Sequence, residues 1–259
     1  MNDILKVRNI SKKHSSTIKN FQVHETLALN NVSFDIKENN ISAIVGESGS
    51  GKTTLAKILI GAETYDTGNI KILGESIKNI SVKKKTQMIR MIGESSKAQL
   101  NPNLKIKNIL RQTLEFSGYK IETSLNNIII ENMLKVNLLP EQAEFYPYML
   151  SKAEKQKVNI IKAIIIKPKI LIVDIELNSL DIMFKMQILK LLIELKESLS
   201  MSLIFIADDL DVIMNLCDQV IIMRDGCILQ KGRKEEIEQN PINKYTESLI
   251  KKYNIKIKK

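Results

Sequence analysis

The chain has 259 residues, 44% hydrophobic and 26% charged, with a formal net charge of +10. That suffices for one large α/β domain with a sizeable core, or for two small ones, and the composition is ordinary for a soluble globular protein. Its apolar runs are short and broken by Lys, Asn or Asp, which excludes a spanning helix of about 20 residues.

In chain order, the opening "MNDILKVRNISKK" lacks a basic-then-apolar leader, so no signal peptide is expected. A strand is predicted over residues 4–10, then a polar loop through His14, then a second strand over 27–36 with period-two alternation. "ISAIV" (41–45) reads as a short buried strand running into a glycine-rich turn and a helix from Lys52. Residues 66–74 read as a turn and strand ending at Gly74, and roughly 96–165 as mostly helical. Strand-like runs follow at 170–174, 202–207 and 219–223, each with a loop or amphipathic helix after it. Short apolar strands alternating with helices imply a mainly parallel sheet with the helical stretch as a subdomain. No Pro/Gly-rich linker divides the chain into independent domains. Cys217 and Cys227 have no metal-like partners in sequence and are expected as free thiols in a reducing cytosol. Lysine far outnumbers arginine without aromatic-basic interleaving, so no nucleic-acid binding is expected. The tail "KKYNIKIKK" (251–259) reads as a solvated charged end, attraction to an anionic membrane face being the alternative.

"GESGSGKTT", Gly46 to Thr54, matches G-x-x-x-x-G-K-[ST] with a strand before it and a helix after it. Gly46, Gly49 and Gly51 let the backbone turn tightly, so that N–H groups around Ser48 and Ser50 face phosphate oxygens. The helix start adds its positive end. Lys52 is expected on the β- and γ-phosphates and the Thr53 hydroxyl on Mg²⁺, with ATP or GTP as ligand. Asp174, after four apolar residues, is expected to hold the Mg²⁺ through water from the end of a buried strand.

With "LNP" (100–102), "YPYMLSKAEKQK" (146–157), "NSLD" (178–181) and "NPINKYTESLI" (240–250), the order of these motifs resembles the ATP-binding subunit of ABC transporters, peptide-importer type. The resemblance runs from about residue 4 to about residue 250. It implies a RecA-like P-loop NTPase α/β core, an antiparallel β-subdomain and an inserted helical subdomain, all within one ABC-type ATP-binding domain spanning 1–259. The C-terminal extension would begin at roughly 232, with Lys244 where the family usually has a second proline. It also implies ATP and Mg²⁺ as cofactors, and a second ATP-binding subunit and two membrane-spanning permease subunits as partners. The place of work would be the cytoplasmic side of the inner membrane, as a peripheral subunit.

Carried over by position, the resemblance puts the D-loop aspartate on Asp181 and the adenine-stacking aromatic on His14, which could equally be an exposed loop histidine. Four positions depart from the family. The Q-loop glutamine falls on Glu94, which accepts hydrogen bonds but cannot donate as an amide does. The signature becomes Leu150, Ser151, Lys152, Ala153 and Glu154, keeping the hydroxyl but losing both glycines. The water-activating glutamate falls on Ile175, and the switch histidine on Asp209. Glu176 reads as a solvated side chain, with a stand-in base as the alternative. The resemblance thus implies an energising subunit of a peptide importer, coupling ATP binding and hydrolysis to solute transport. The alternative is a decayed or regulatory subunit whose partner carries the turnover.

Overall fold

The computed structural model describes residues 2–18, 22–93, 100–119, 124–174, 182–208, 210 and 212–257. The chain forms two compact units, one of Met1–Ser81 with Ser202–Lys259, the other of Val82–Met201.

The first unit opens with a long antiparallel ribbon, β1 (Asp3–Ile18) against β2 (Gln22–Lys37). With β4 (Thr67–Ile72) and β5 (Glu75–Ser76) it makes a sheet ordered β2-β1-β4-β5. The loop expected through His14 is therefore strand: Lys13 pairs with Leu27 and His14 with Thr26 in the same ladder. The reason is a ribbon held by its backbone and its partners rather than by apolar alternation. Lys13 Nζ lies 2.9 Å from Glu25, and the Lys13 N–H donates to Asp66 Oδ2 at 2.7 Å. Register shifts bend the ribbon near Asn9 and Asn31, both at positive φ, where Asn is among the side chains that tolerate it. Ser33 Oγ accepts the Asn9 N–H at 2.7 Å and donates to Asn9 Oδ1, fixing that kink.

The same unit holds a parallel trio, β9 (Gln219–Arg224), β3 (Ile41–Val45) and β8 (Ser202–Ala207). Both β3 and β8 are almost wholly buried, so their near-continuous apolar sequence fits strands covered on both faces. β10 (Cys227–Arg233) folds back on β9 through Asp225 and Gly226, both at positive φ as a two-residue hairpin turn requires. Helices α1 (Lys52–Ile60), α7 (Lys234–Gln239) and α8 (Lys244–Ile257) complete this unit, and Phe34, Phe205, Leu55 and Leu59 are among its fully buried side chains. Cys217 and Cys227 are both free; burial pushes the Cys217 thiol up to about 12, too high for a reactive thiolate.

The second unit pairs β6 (Ile89–Ile92) with β7 (Ile170–Val173) in parallel, Ile92 opposite Val173. Its helices are α2 (Val82–Met88), α3 (Ile106–Phe116), α4 (Ser124–Lys135), α5 (Lys152–Ile164) and α6 (Ile182–Leu199). On α3 the residues at 106, 109, 110 and 114 lie on one face by helical spacing, and all four are buried. Among the described residues no helix is long and apolar enough to cross a membrane.

Candidate functional site

β3 ends at Val45 opposite Ala207 of β8, and the Gly46 N–H continues that ladder to the Ala207 carbonyl at 3.3 Å. The chain then turns sharply: the Ser50 N–H donates to the Glu47 carbonyl at 3.1 Å. Gly51, at φ 99, caps α1 without any side-chain hydrogen bond. The first N–H groups of a helix have no intrahelical acceptor, so this uncapped start presents donors and a positive dipole end to an anion.

Two glycines are demanded by close approach. A Cβ on Gly46 would stand 2.1 Å from the Met223 carbonyl oxygen, and one on Gly51 2.5 Å from that of Ala28. The loop is thus pressed against β9 and β2, and the β9–β10 turn props it through a Gly226 N–H to the Ser50 carbonyl at 3.2 Å. Ser48 and Gly49 are exposed, whereas Ser50 is buried.

Lys52 folds back into this loop and is only 6% exposed. Its ammonium meets the carbonyls of Gly46 (2.7 Å) and Glu47 (2.9 Å), Ser50 Oγ (3.3 Å) and Asp208 Oδ1 (3.1 Å). A buried ammonium needs such oxygens to offset its desolvation, and the loop supplies them. Thr53 is exposed on the first turn of α1. Thr54 Oγ1 lies 3.4 Å from His14 Nε2, and His14 also lies 3.4 Å from Glu63 Oε1. The long ribbon therefore carries the exposed imidazole to the phosphate-loop helix.

Three residues that the sequence reading passed over also meet here. Asp208, the first residue after β8, carries the carboxylate found against Lys52, one position before the Asp209 expected at the switch. Tyr245 on α8 accepts the Glu47 N–H at 2.9 Å, with the Arg224 guanidinium 5.0 Å from its ring centroid. Burial raises the Tyr245 hydroxyl's pKa, with the nearby Glu47 and Asp208 carboxylates adding to the rise.

In the second unit, Asp174 follows the last buried residue of β7 and is half-buried, its N–H bonded to the Ile92 carbonyl at 2.9 Å. Ser151 is the N-cap of α5: its Oγ accepts the Glu154 N–H at 3.2 Å, and Glu154 Oε2 accepts the Ser151 N–H at 2.8 Å. Lys152 and Ala153 form the first turn between them. This reciprocal capping satisfies two orphan donors. Hydrogen bonds from Ser151 and from the Gln142 amide (2.6 Å) lower the Glu154 pKa, keeping it charged. Glu94, Ile175, Glu176, Asp181 and Asp209 lie outside the described residues.

An α/β core with this glycine loop, buried lysine and uncapped helix start defines a P-loop nucleotide-binding protein. The profile of the ABC transporter family matches residues 29–176, more than half of the chain. The chain is 32% identical over 247 residues to the "Putrescine export system ATP-binding protein SapF" of Escherichia coli K12, covering 95% of this chain and 92% of that one. It matches the "Peptide transport system ATP-binding protein SapF" of Salmonella typhimurium to the same extent. To the "Di/tripeptide transport ATP-binding protein DppF" of Pseudomonas aeruginosa it is 30% identical, covering 96% of this chain and 79% of that one. Among solved structures, cbiO1 of Clostridium perfringens superposes with a TM-score of 0.76 at 22% identity, covering 93% of this chain and 92% of that one. The ATP-binding cassette MJ0796 bound to ADP and Pi superposes at 0.75 and 23% identity, covering 89% and 98%. The chain belongs to the ABC transporter family, as an ATP-binding subunit related to those of peptide transport systems. Its fold is the P-loop core with antiparallel β-sheet and helices that this family shares.

Proposed function

We propose that this chain binds MgATP as the ATP-binding subunit of a peptide importer and contributes little hydrolysis of its own. The observation that carries the binding half is Lys52, buried in a glycine loop at an uncapped helix start. Gly46, Ser48, Gly49, Ser50, Gly51, Lys52, Thr53 and Thr54 form the phosphate cradle, with His14 alongside as the adenine-side ring. Thr53 and Asp174 are the residues that would hold Mg²⁺, which supplies charge neutralisation on the phosphate oxygens when bound. Among the described residues no group of three His, Cys, Asp or Glu gathers to hold a metal.

The reading of slow turnover rests on the sequence. A hydrocarbon, Ile175, stands at the family's general-base position, and a missing proton acceptor typically removes a factor of about 10² to 10⁴ in rate. In a head-to-tail pair with a second ATP-binding subunit, the partner's own site would then carry the chemistry. Two membrane-spanning permease subunits complete the proposed assembly, with this chain as a peripheral subunit at the cytoplasmic side of the inner membrane. Peptide as solute follows from the group of relatives, one of which is named for putrescine export.

The test is phosphate release by the assembled transporter with Lys52→Ala in this chain only. Turnover is expected to keep at least about half its native rate, far from the collapse of about 10² or more that follows loss of a working site. Near-complete loss with assembly intact would show that this chain's site does the work.

A further inference from the structure

We infer that Asp208 is a specificity-determining residue: an internal anion that occupies Lys52 and sets the phosphate loop against ATP relative to ADP. The inference rests on nucleotide binding at this loop and adds which nucleotide it prefers. Sheet register fixes where Asp208 stands. Val45 pairs with Ala207, and the Gly46 N–H bonds to the Ala207 carbonyl, so Gly46 and Asp208 leave the carboxyl ends of two parallel strands side by side. The loop then returns Lys52, bringing its ammonium to 3.1 Å from Asp208 Oδ1.

Lys52 has three N–H donors and four oxygens within 3.3 Å, so the loop and Asp208 together saturate it. Two of the four are backbone carbonyls of the loop, which stay with the loop when nucleotide arrives. The Asp208 carboxylate is the one charged partner among the four, and 59% of its side chain is exposed. In a P-loop the lysine serves the β- and γ-phosphates, so a carboxylate at hydrogen-bonding distance from that ammonium lies within Coulomb range of the γ-phosphate. Two like unit charges at such range repel by a free energy equal to a factor of about five to ten in water, and more where solvent is thin. ADP lacks the γ-phosphate and escapes most of that repulsion.

Fluorescent ADP and a non-hydrolysable ATP analogue, titrated into the purified native chain and into Asp208→Asn and Asp208→Glu, test the inference. Asp208→Asn is expected to raise affinity for the ATP analogue about tenfold and for ADP less than about twofold. Asp208→Glu, which keeps the charge, should stay near the native ratio. An unchanged ratio in Asp208→Asn, or the same change in both variants, overturns the inference while leaving nucleotide binding intact. Failure of the native chain to bind either nucleotide overturns the binding reading itself, and this inference with it.

Discussion

Lys52→Ala is expected to lower the isolated chain's affinity for ATP by about 100-fold or more, read by equilibrium binding of a fluorescent analogue. Truncating one partner of a buried, charged hydrogen-bond set costs about 2–5 kcal/mol, and each 1.4 kcal/mol is about tenfold. Lys52 also clamps the loop itself, holding the Gly46 and Glu47 carbonyls. Its loss leaves those acceptors short of a donor, so the variant should also lose about 1–3 kcal/mol of stability. Lys52→Met separates the two effects: it restores the apolar stem along the buried path but not the charge. Binding should stay lost in Lys52→Met; recovery there would mean that packing, not the ammonium, holds the nucleotide.

Gly46→Ala is expected to destabilise the fold by about 3 kcal/mol, whereas Gly49→Ala should cost about 1–2 kcal/mol. The difference lies in what a methyl group meets. At Gly46 it would stand 2.1 Å from the Met223 carbonyl and 2.7 Å from Ser50 Oγ, so either β9 or the loop must move. Overpacking a rigid site costs about 1–3 kcal/mol and sometimes more. At Gly49 nothing lies within 4 Å, and only the left-handed conformation, φ 83, penalises a side chain, by about 1–2 kcal/mol. Denaturant midpoints of the two variants settle the comparison; coincident midpoints would contradict the close packing of loop on strand.

These glycines also show what the sequence could and could not reveal. The phosphate loop was legible because backbone geometry dictates nearly every position in it, and the structure puts a strand before Gly46 and a helix from Lys52, as the spacing predicts. That Gly46 is required by a neighbouring strand and Gly51 by β2 was not legible, since those contacts come from residues far away in the chain. The ribbon of β1 and β2 escaped pattern reading for a related reason. Its outer half, around His14, is polar on both faces and is held by ladder bonds and cross-strand charges. Asp208 was hidden because its approach to Lys52 comes from the pairing of β8 with β3, far away in the chain.

At "SKAE" the sequence carried two messages at once. Ser151 and Glu154 have the spacing of a capping box, and the structure realises it. The family resemblance points only to the lost glycines, while the same four residues hold the start of α5. Tyr245 gave no signal of its contact with Glu47, because nearly 200 residues separate them. Where a site depends on backbone conformation, one sequence suffices; where it depends on tertiary neighbours, it does not.

Retention of radiolabelled ATP by the purified chain, followed by recovery and separation of the bound label, is the most direct measurement. Label held by the native chain, lost in Lys52→Ala, and recovered almost entirely as ATP is the expected result. Label recovered as ADP after brief incubation, or no retention at millimolar nucleotide, would contradict a subunit that grips its nucleotide without consuming it.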